Sequence, residues 1–226
     1  MRALAFSGGK DSWACLWLHE HELSDLPVLW VNPGKTYPEL LATIERARAM
    51  CPRFVEICVD RDGQNSYHGL PSDVVPVNWT REGQLMTCAK PVTVQSYVQC
   101  CYENIAHPLM TYCRMRGITE LIRGQRLEDG HQGTARDGDV VQGVTFRHPI
   151  EQWTTQQVLA FVGDRMELPR HFRFAHSSLD CYDCTAYARE SKDRVAWMER
   201  AHPLLYRAYF DRALALKSAI NASLED

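Results

Sequence analysis

A chain of 226 residues that is 45% apolar can bury one well-packed core, and a single domain is expected. No run reaches the roughly 18 apolar residues of a spanning helix, and Met1-Arg2 leads directly into Ala3-Leu4-Ala5-Phe6 without room for a signal peptide, so a cytoplasmic location is expected. A net charge of -3 excludes a global pull toward nucleic acid or anionic membrane, although a local basic groove is compatible with that sum.

Arg2 to Phe6 reads as a short buried strand. After a glycine turn, Trp13, Leu16 and Trp17 recur at helical spacing within Asp11 to Leu18. Val28 to Val31 is a second apolar strand, Pro38 opens a helix with Leu41, Ile44 and Ala47 on one face, and Phe54 to Val59 is a third strand. Strands alternating with helices predict an α/β fold with an open, mostly parallel sheet flanked by helices, whose ligands sit at the carboxyl ends of the strands. From Gly63 to Pro91 the pattern fades into turn-rich sequence, expected as an active-site excursion or lid. Helical pattern returns from about Val92 to Arg116, broken at Pro108, and Leu121-Ile122 before Gly124 predicts another strand. Gly130 to Gly143 predicts a mobile loop, followed by an extended Val144 to Phe146. Thr154 and Gln157 form a capping box for a helix bearing Val158, Phe161 and Val162. Beyond Cys184 the chain reads as helical to the end, interrupted at Pro203. The expected division is a nucleotide-binding region over 1–185 with a helical C-terminal extension of the same domain over 186–226.

Ser7-Gly8-Gly9-Lys10-Asp11-Ser12 falls between the first strand and the first helix. Glycines there let backbone amides point inward, and the helix N-terminus adds about half a positive charge. Lys10 would supply a full charge to a pyrophosphate, the Ser7 and Ser12 hydroxyls would donate to phosphate oxygens, and Asp11 would hold magnesium. The alternative is a plain glycine turn with polar residues at a helix cap. The spelling resembles the signature of the PP-loop ATP pyrophosphatases, which split ATP between its α and β phosphates. It is not a Walker loop, which disfavours γ-phosphate transfer.

Nine cysteines in a reducing compartment point to metal or redox chemistry rather than a disulfide framework. Cys100-Cys101 and Cys181-x-x-Cys184 would offer four thiolates to one centre if the fold brings the pairs together. Two adjacent cysteines diverge, which suits a [4Fe-4S] cluster better than one tetrahedral zinc, the alternative metal. A further reading makes Cys100 and Cys101 buried helix residues and leaves the second pair empty-handed. Cys15, Cys51, Cys58, Cys88 and Cys113 are expected to pack in the core.

The adjacent pair and the later Cys-x-x-Cys-Thr resemble the cluster motifs of assimilatory adenylylsulfate reductases, which carry a [4Fe-4S] cluster. Cys100-Cys101-Tyr-Glu-Asn-Ile-Ala-His107-Pro108-Leu109 is similar to the segment after that family's cysteine pair, and Gly124-Gln125-Arg126 with Arg136 to its substrate-facing arginine segment. Pro149-Ile150-Glu151-Gln152-Trp153-Thr154 is similar to its Pro-Ile-x-x-Trp-Thr signature, and Tyr37-Pro38-Glu39 to its motif after the second strand. The likeness to the phosphoadenylylsulfate/adenylylsulfate reductase family spans most of residues 3 to 185. It implies an adenine nucleotide alpha-hydrolase-like fold. Gly124, Arg126 and Arg136 are then expected to join Ser7 to Ser12 around the nucleotide, with Lys10, Asp11 and Arg126 catalytic, because arginines can neutralise phosphates through bidentate contacts. Arg123 and Arg147 are weaker candidates, and His107, His148 and Trp153 are expected to be structural.

The sequence departs from that family in three places. No cysteine follows Cys184, where the reductases carry their nucleophilic thiol in a C-terminal Glu-Cys-Gly-Leu-His element. Lys10-Asp11 restores the ATP-pyrophosphatase spelling, and Asn32-Pro33-Gly34 stands where Asp-Thr-Gly is usual. The leading expectation is therefore cleavage of ATP with magnesium to adenylylate an acceptor, with a cluster beside the site serving sulfur transfer, as in the related DNA phosphorothioation proteins and cluster-dependent tRNA thiolases. A sulfonucleotide reductase using a thiol from another chain or from Cys88 is the second expectation, and a non-catalytic nucleotide-binding subunit the third. A sulfur donor or thiol reductant and a homo-oligomer are expected as partners, with a nucleic-acid acceptor compatible with the basic residues Arg189, Lys192, Arg194, Arg200, Arg207, Arg212 and Lys217. Interleaved acidic residues make a solvated helix surface the simpler reading of that stretch.

Overall fold

The computed structural model describes residues 1–87, 94–130, 135–169, 172, 181–187 and 192–225. The strands are β1 (Arg2–Ala5), β2 (Val28–Asn32), β3 (Phe54–Cys58), β4 (Leu70–Ser72), β5 (Val94–Ser96), β6 (Glu120–Ile122), β7 (Val140–Val141) and β8 (Val144–Arg147). The α-helices are α1 (Lys10–Leu18), α2 (Pro38–Met50), α3 (Arg61–His68), α4 (Arg81–Thr87), α5 (Tyr97–Cys101), α6 (His107–Met115), α7 (Thr155–Gly163), α8 (Lys192–Ala201) and α9 (Pro203–Glu225). They gather into two compact units. The first comprises Met1–Asn32, Pro38–Cys58 and Pro108–Phe172, and the second Pro33–Tyr37, Val59–His107 and Arg173–Asp226, each over its described residues.

The first unit is the expected α/β layer. Its six-stranded sheet runs β3-β2-β1-β6-β8-β7, parallel except where β7 returns on β8. A strand covered on both faces must be apolar along its length, and Ala3 and Leu4 of β1 are fully buried. One face closes over Ala3, Leu29, Met110, Cys113, Ile118, Leu121, Val144 and Phe146. On the other strand-to-helix connections, α1 lies against α7, and Trp13, Leu16 and Ile44 lose all contact with solvent. Because β2 flanks β1 on one side and β6 on the other, strand order reverses at β1, and the loops leaving the carboxyl ends of β1 and β6 face each other there.

The second unit contains a two-stranded parallel sheet, β4 with β5, together with α3, α5, α8 and α9. Its interior mixes fully buried Tyr37, Val94 and Met198 with Arg61, Asn65, Gln95, Asn104, Asp183 and Arg194, all largely out of water. The turn-rich stretch from Gly63 carries the end of α3, β4 and α4 as far as Thr87, and 88–91 lie outside the described residues. Asp60 caps α3 by accepting from Gly63 N at 2.9 Å, and the helix buries Arg61 and Asn65 instead of an apolar stripe, so no periodicity announced it. The helical run expected from about Val92 starts at Tyr97, after β5, and does not break at Pro108. A π-helical turn over Tyr102–Ala106 precedes α6, and Pro108 sits in the first turn of that helix, where its missing amide is harmless. In the expected mobile loop, residues 131–134 lie outside the described ones, while 140–147 form the β7-β8 hairpin.

Candidate functional site

The loop between β1 and α1 has the form its spelling predicted. Gly8 takes φ +80°, a conformation that favours glycine. Gly9 caps α1 without any side-chain acceptor, so no side chain occupies the helix's first-turn amides. The Ser12 hydroxyl donates to the Gly9 carbonyl at 2.8 Å, and the Ser7 hydroxyl lies 3.4 Å from Ser12 Oγ, so the two serines brace the loop backbone. Lys10 Nζ pairs with Asp11 Oδ2 at 2.7 Å.

The other half of the site comes from the end of β6. Gly124 lies so close to Asp11 that a Cβ there would stand 2.6 Å from the Asp11 carbonyl carbon and 2.7 Å from its oxygen. Arg126, its side chain only 2% exposed, donates Nη1 to Glu128 Oε2 at 2.6 Å and Nη2 to Asp129 Oδ1 at 2.6 Å, while its Nε stands 2.7 Å from Asp11 Oδ1 as an ion pair outside hydrogen-bond geometry. Burial alone would lower its pKa, but Asp11, Asp129 and Glu128 hold it above the ordinary arginine value, so it stays charged. Arg126 thus positions Asp11 and is itself enclosed by three carboxylates. Glu128 and Asp129 were not singled out by sequence, since acidic residues two and three places along carry no motif. The five charges of Lys10, Arg126, Asp11, Glu128 and Asp129 sum to -1.

The remaining arginine candidates diverge. Arg136 is exposed, its backbone N–H donating to Asp139 Oδ2 at 2.7 Å. Arg123 lies over the Phe146 ring at 5.1 Å, and burial lowers its pKa. Arg147 pairs with Glu120 at 3.0 Å. Asn32, at the altered second-strand motif, donates to Glu56 Oε1 at 2.6 Å. His148 is buried, and Trp153 meets Phe161 of α7 edge-on at 5.1 Å.

All four paired cysteines belong to the second unit. Cys100 is buried and the adjacent Cys101 exposed, so the pair diverges as its adjacency implied. Cys181 bridges to Thr36, and the Cys184 N–H donates back to the Cys181 carbonyl at 3.2 Å, forming the turn of the Cys-x-x-Cys segment. Cys100 lies within electrostatic reach of Cys184 and of Arg61, and Arg61 within reach of Cys181, so residues from both pairs share one neighbourhood. Burial, opposed by Arg61, raises the Cys100 thiol. Among the described residues no three His, Cys, Asp or Glu side chains form a closed metal-binding group. Four thiols within one unit are the chemistry that an iron-sulfur centre uses, but in this structure they are not gathered into such a group.

The unpaired cysteines are a separate case. Cys15, Cys51 and Cys113 are buried, with burial pushing their thiols up to about 12, 11 and 11, Asp11 adding to the first. Cys58 is exposed, against the expectation of core packing, because β3 is the edge strand of its sheet. Cys88 lies outside the described residues. The basic C-terminal stretch is not simply a solvated face: Arg194 is buried, Arg212 pairs with Asp183 at 3.2 Å, and Arg189 lies outside the described residues.

The strand order, the glycine loop and the crowding of Gly124 on Asp11 define an α/β protein of the PP-loop nucleotide-binding class. The phosphoadenosine phosphosulfate reductase domain matches residues 2–187, and the chain belongs to that family. Among solved structures, phosphoadenylyl-sulfate reductase from Candida auris, in a phosphate complex, superposes with a TM-score of 0.54 at 12% identity over 80% of each chain. Yeast FAD synthetase in complex with FAD gives a TM-score of 0.42 at 13% identity, over 80% of this chain and 53% of that one. No curated protein matches the sequence. Among the described residues no helix is long and apolar enough to cross a membrane.

Proposed function

We propose that this protein is a PP-loop enzyme that binds ATP with magnesium at Ser7 to Ser12, cleaves it between the α and β phosphates and adenylylates an acceptor. The observation that carries this reading is the paired arrangement of Lys10 and Asp11 at a helix start without a side-chain cap. In the proposed reaction an acceptor oxygen attacks the α-phosphorus, the bond to the bridging α–β oxygen breaks, and pyrophosphate leaves with that electron pair. Lys10 turns from Asp11 to the phosphates, neutralising the charge that builds on the leaving group. Asp11, beside Arg126, would hold magnesium, which would supply charge neutralisation on the pyrophosphate. The amides of α1 and the loop bind phosphate oxygens, and Gly124, having no side chain, lets the loop after β6 approach the Asp11 backbone. Arg136, exposed, would reach the nucleotide only on binding.

We further propose that Cys100, Cys101, Cys181 and Cys184 hold a [4Fe-4S] cluster, with zinc as the alternative, and that it supplies sulfur chemistry for the adenylylated acceptor. The cytoplasm suits such a centre, and a sulfur donor and a homo-oligomeric state complete the proposal. The family match favours one second reading, reduction of adenylylsulfate or phosphoadenylylsulfate by a thiol.

The test is incubation of anaerobically purified protein with magnesium and ATP, and separately with adenylylsulfate and a thiol reductant. Pyrophosphate is expected in the first, with water taking the place of the acceptor and AMP as the other product, reduced about 10²–10³-fold by Lys10→Ala. Sulfite in the second, without pyrophosphate in the first, would establish the reductase instead.

A further inference from the structure

The second unit holds a cavity of about 340 Å³, at the low end of the roughly 300–1,000 Å³ of small-molecule sites. Asp62, Asn65 and Ser66 line it from one face of α3, as their helical spacing requires, Leu70 lines it from β4 and Arg212 from α9. Leu70 is the only apolar side chain among the described lining residues, so the cavity suits a polar occupant. Lys35 and Asp183 complete the lining, and Lys35 Nζ lies 3.1 Å from Asp62 Oδ2. Asp183 is gripped from two sides: Arg61 Nη2 donates to Oδ1 at 2.6 Å and Arg212 Nη1 to Oδ2 at 3.2 Å. Three cations, Lys35, Arg61 and Arg212, thus face two carboxylates, and one positive charge is left unbalanced among them.

With Nη1 held by Asp183, the side edge of the Arg212 guanidinium remains, and its Nε and Nη2 are both buried without a hydrogen-bond partner. Asn65 Nδ2 is in the same state on a residue only 6% exposed, while the Asn65 oxygen accepts from Gln95 at 2.9 Å. Buried donors in native proteins are nearly always matched. Water could accept from these groups but would leave the charge standing, whereas an anion answers both. The Nε–Nη2 edge presents two parallel N–H groups, the fork that a carboxylate fills with its two oxygens. A carboxylate also brings the single negative charge that balances the five side chains, where a phosphate dianion would overshoot.

We propose that this cavity binds a small molecule through its carboxylate, with Arg212 as the fork, Asn65 as the third donor and Lys35 drawing the anion inward. The Arg212 donors are shielded as the side chain stands, so binding turns the guanidinium toward the cavity while Asp183 keeps Nη1. Leu70 meets a short apolar stem. The site lies wholly within the second unit and needs neither a nucleotide at Ser7 to Ser12 nor a metal at the cysteines.

The experiment titrates the whole nitrogen-labelled chain with sodium butyrate and follows the arginine Nε–H resonances by NMR, with sodium chloride at equal ionic strength as the control. A saturable shift of the Arg212 resonance, assigned by its absence from Arg212→Lys, is expected with butyrate and not with chloride. Asn65→Asp keeps the oxygen that Gln95 uses and puts negative charge in place of the unmatched donor, so butyrate affinity should fall about 10–100-fold. Should these buried substitutions unfold the unit, Ser66→Phe decides, because it adds bulk to the cavity lining from an exposed position of α3 and should abolish the shift in folded protein. No saturable shift in wild type, or an equal shift with chloride, would overturn the proposal. Unchanged affinity in folded Ser66→Phe would put the binding elsewhere and overturn it as well. Tighter binding of sodium sulfate than of butyrate would overturn the carboxylate assignment.

Discussion

Gly124 has no space for a side chain, because the atoms it would meet are Asp11 backbone, which cannot rotate away. Gly124→Ala should therefore move the loop against β6, destabilising the fold by about 1–3 kcal/mol and weakening nucleotide binding beyond that. At Gly9 the nearest atom to an added Cβ is Ser7 Oγ at 3.5 Å, an ordinary contact, so Gly9→Ala should fold normally. Thermal unfolding of both variants, with fluorescent ATP titration of the folded fraction, checks the contrast; equal tolerance would remove the close approach from the argument. His148 offers a second test. Burial, and the Arg123 charge after it, hold its pKa below the ordinary 6.5, against the pull of Glu151 and Asp137. The unfolded chain then takes up a proton that the folded chain refuses as pH falls below about 6.5. The stabilisation is whole above that pH and is lost as pH falls through the lower, folded value. Unfolding temperature followed downward from pH 7.5 should fall more steeply in wild type than in His148→Gln, and parallel curves would contradict it.

Among the elements, α7 was the one whose start could be read most directly. Thr154 accepts from Gln157 N at 3.2 Å and the Gln157 side chain accepts from Thr154 N at 2.7 Å, the reciprocal pair that the spacing foretold. Thr154→Ala should cost about 1 kcal/mol, a fall of about 2–4 °C in unfolding temperature for a chain of this size; an unchanged midpoint would mean that packing on α1 alone holds the helix. β1, β2, β3, α1 and α2 were legible for the same reason, since their apolar residues repeat at the period of the element they form, although α2 buries Leu40 with Ile44 and Ala47 and leaves Leu41, expected on that face, exposed. α3 was not, because it buries Arg61 and Asn65, and a polar helix facing a polar interior has no hydrophobic period to detect. The π turn before Pro108 escaped as well, for a proline read from sequence signals only a break. The site followed the same division. Lys10, Asp11 and Gly124 could be found by spelling, whereas the enclosure of Arg126 by Glu128 and Asp129 depends on how the chain turns after β6.

Across the whole chain the two units differ in what holds them. The first closes on Ala3, Leu29, Leu121, Val144 and Phe146, a continuous apolar core under a six-stranded sheet. In the second, among the described residues, buried Arg61, Asn65, Gln95, Asn104 and Asp183 share the interior with Tyr37, Val94 and Met198. Apolar burial stabilises without a partner, but buried charges and amides do so only when each finds one. If the cysteines hold a metal centre, its binding free energy is folding free energy for the unit that carries them. Stripping iron with a chelator under anaerobic conditions should then speed amide hydrogen exchange in α5 and over 181–187, while β1, β2 and β6 keep their protection. Uniform acceleration across both units would mean that the chain unfolds as one body. No change anywhere in protein shown to have lost iron would mean that the polar interior of the second unit is self-sufficient.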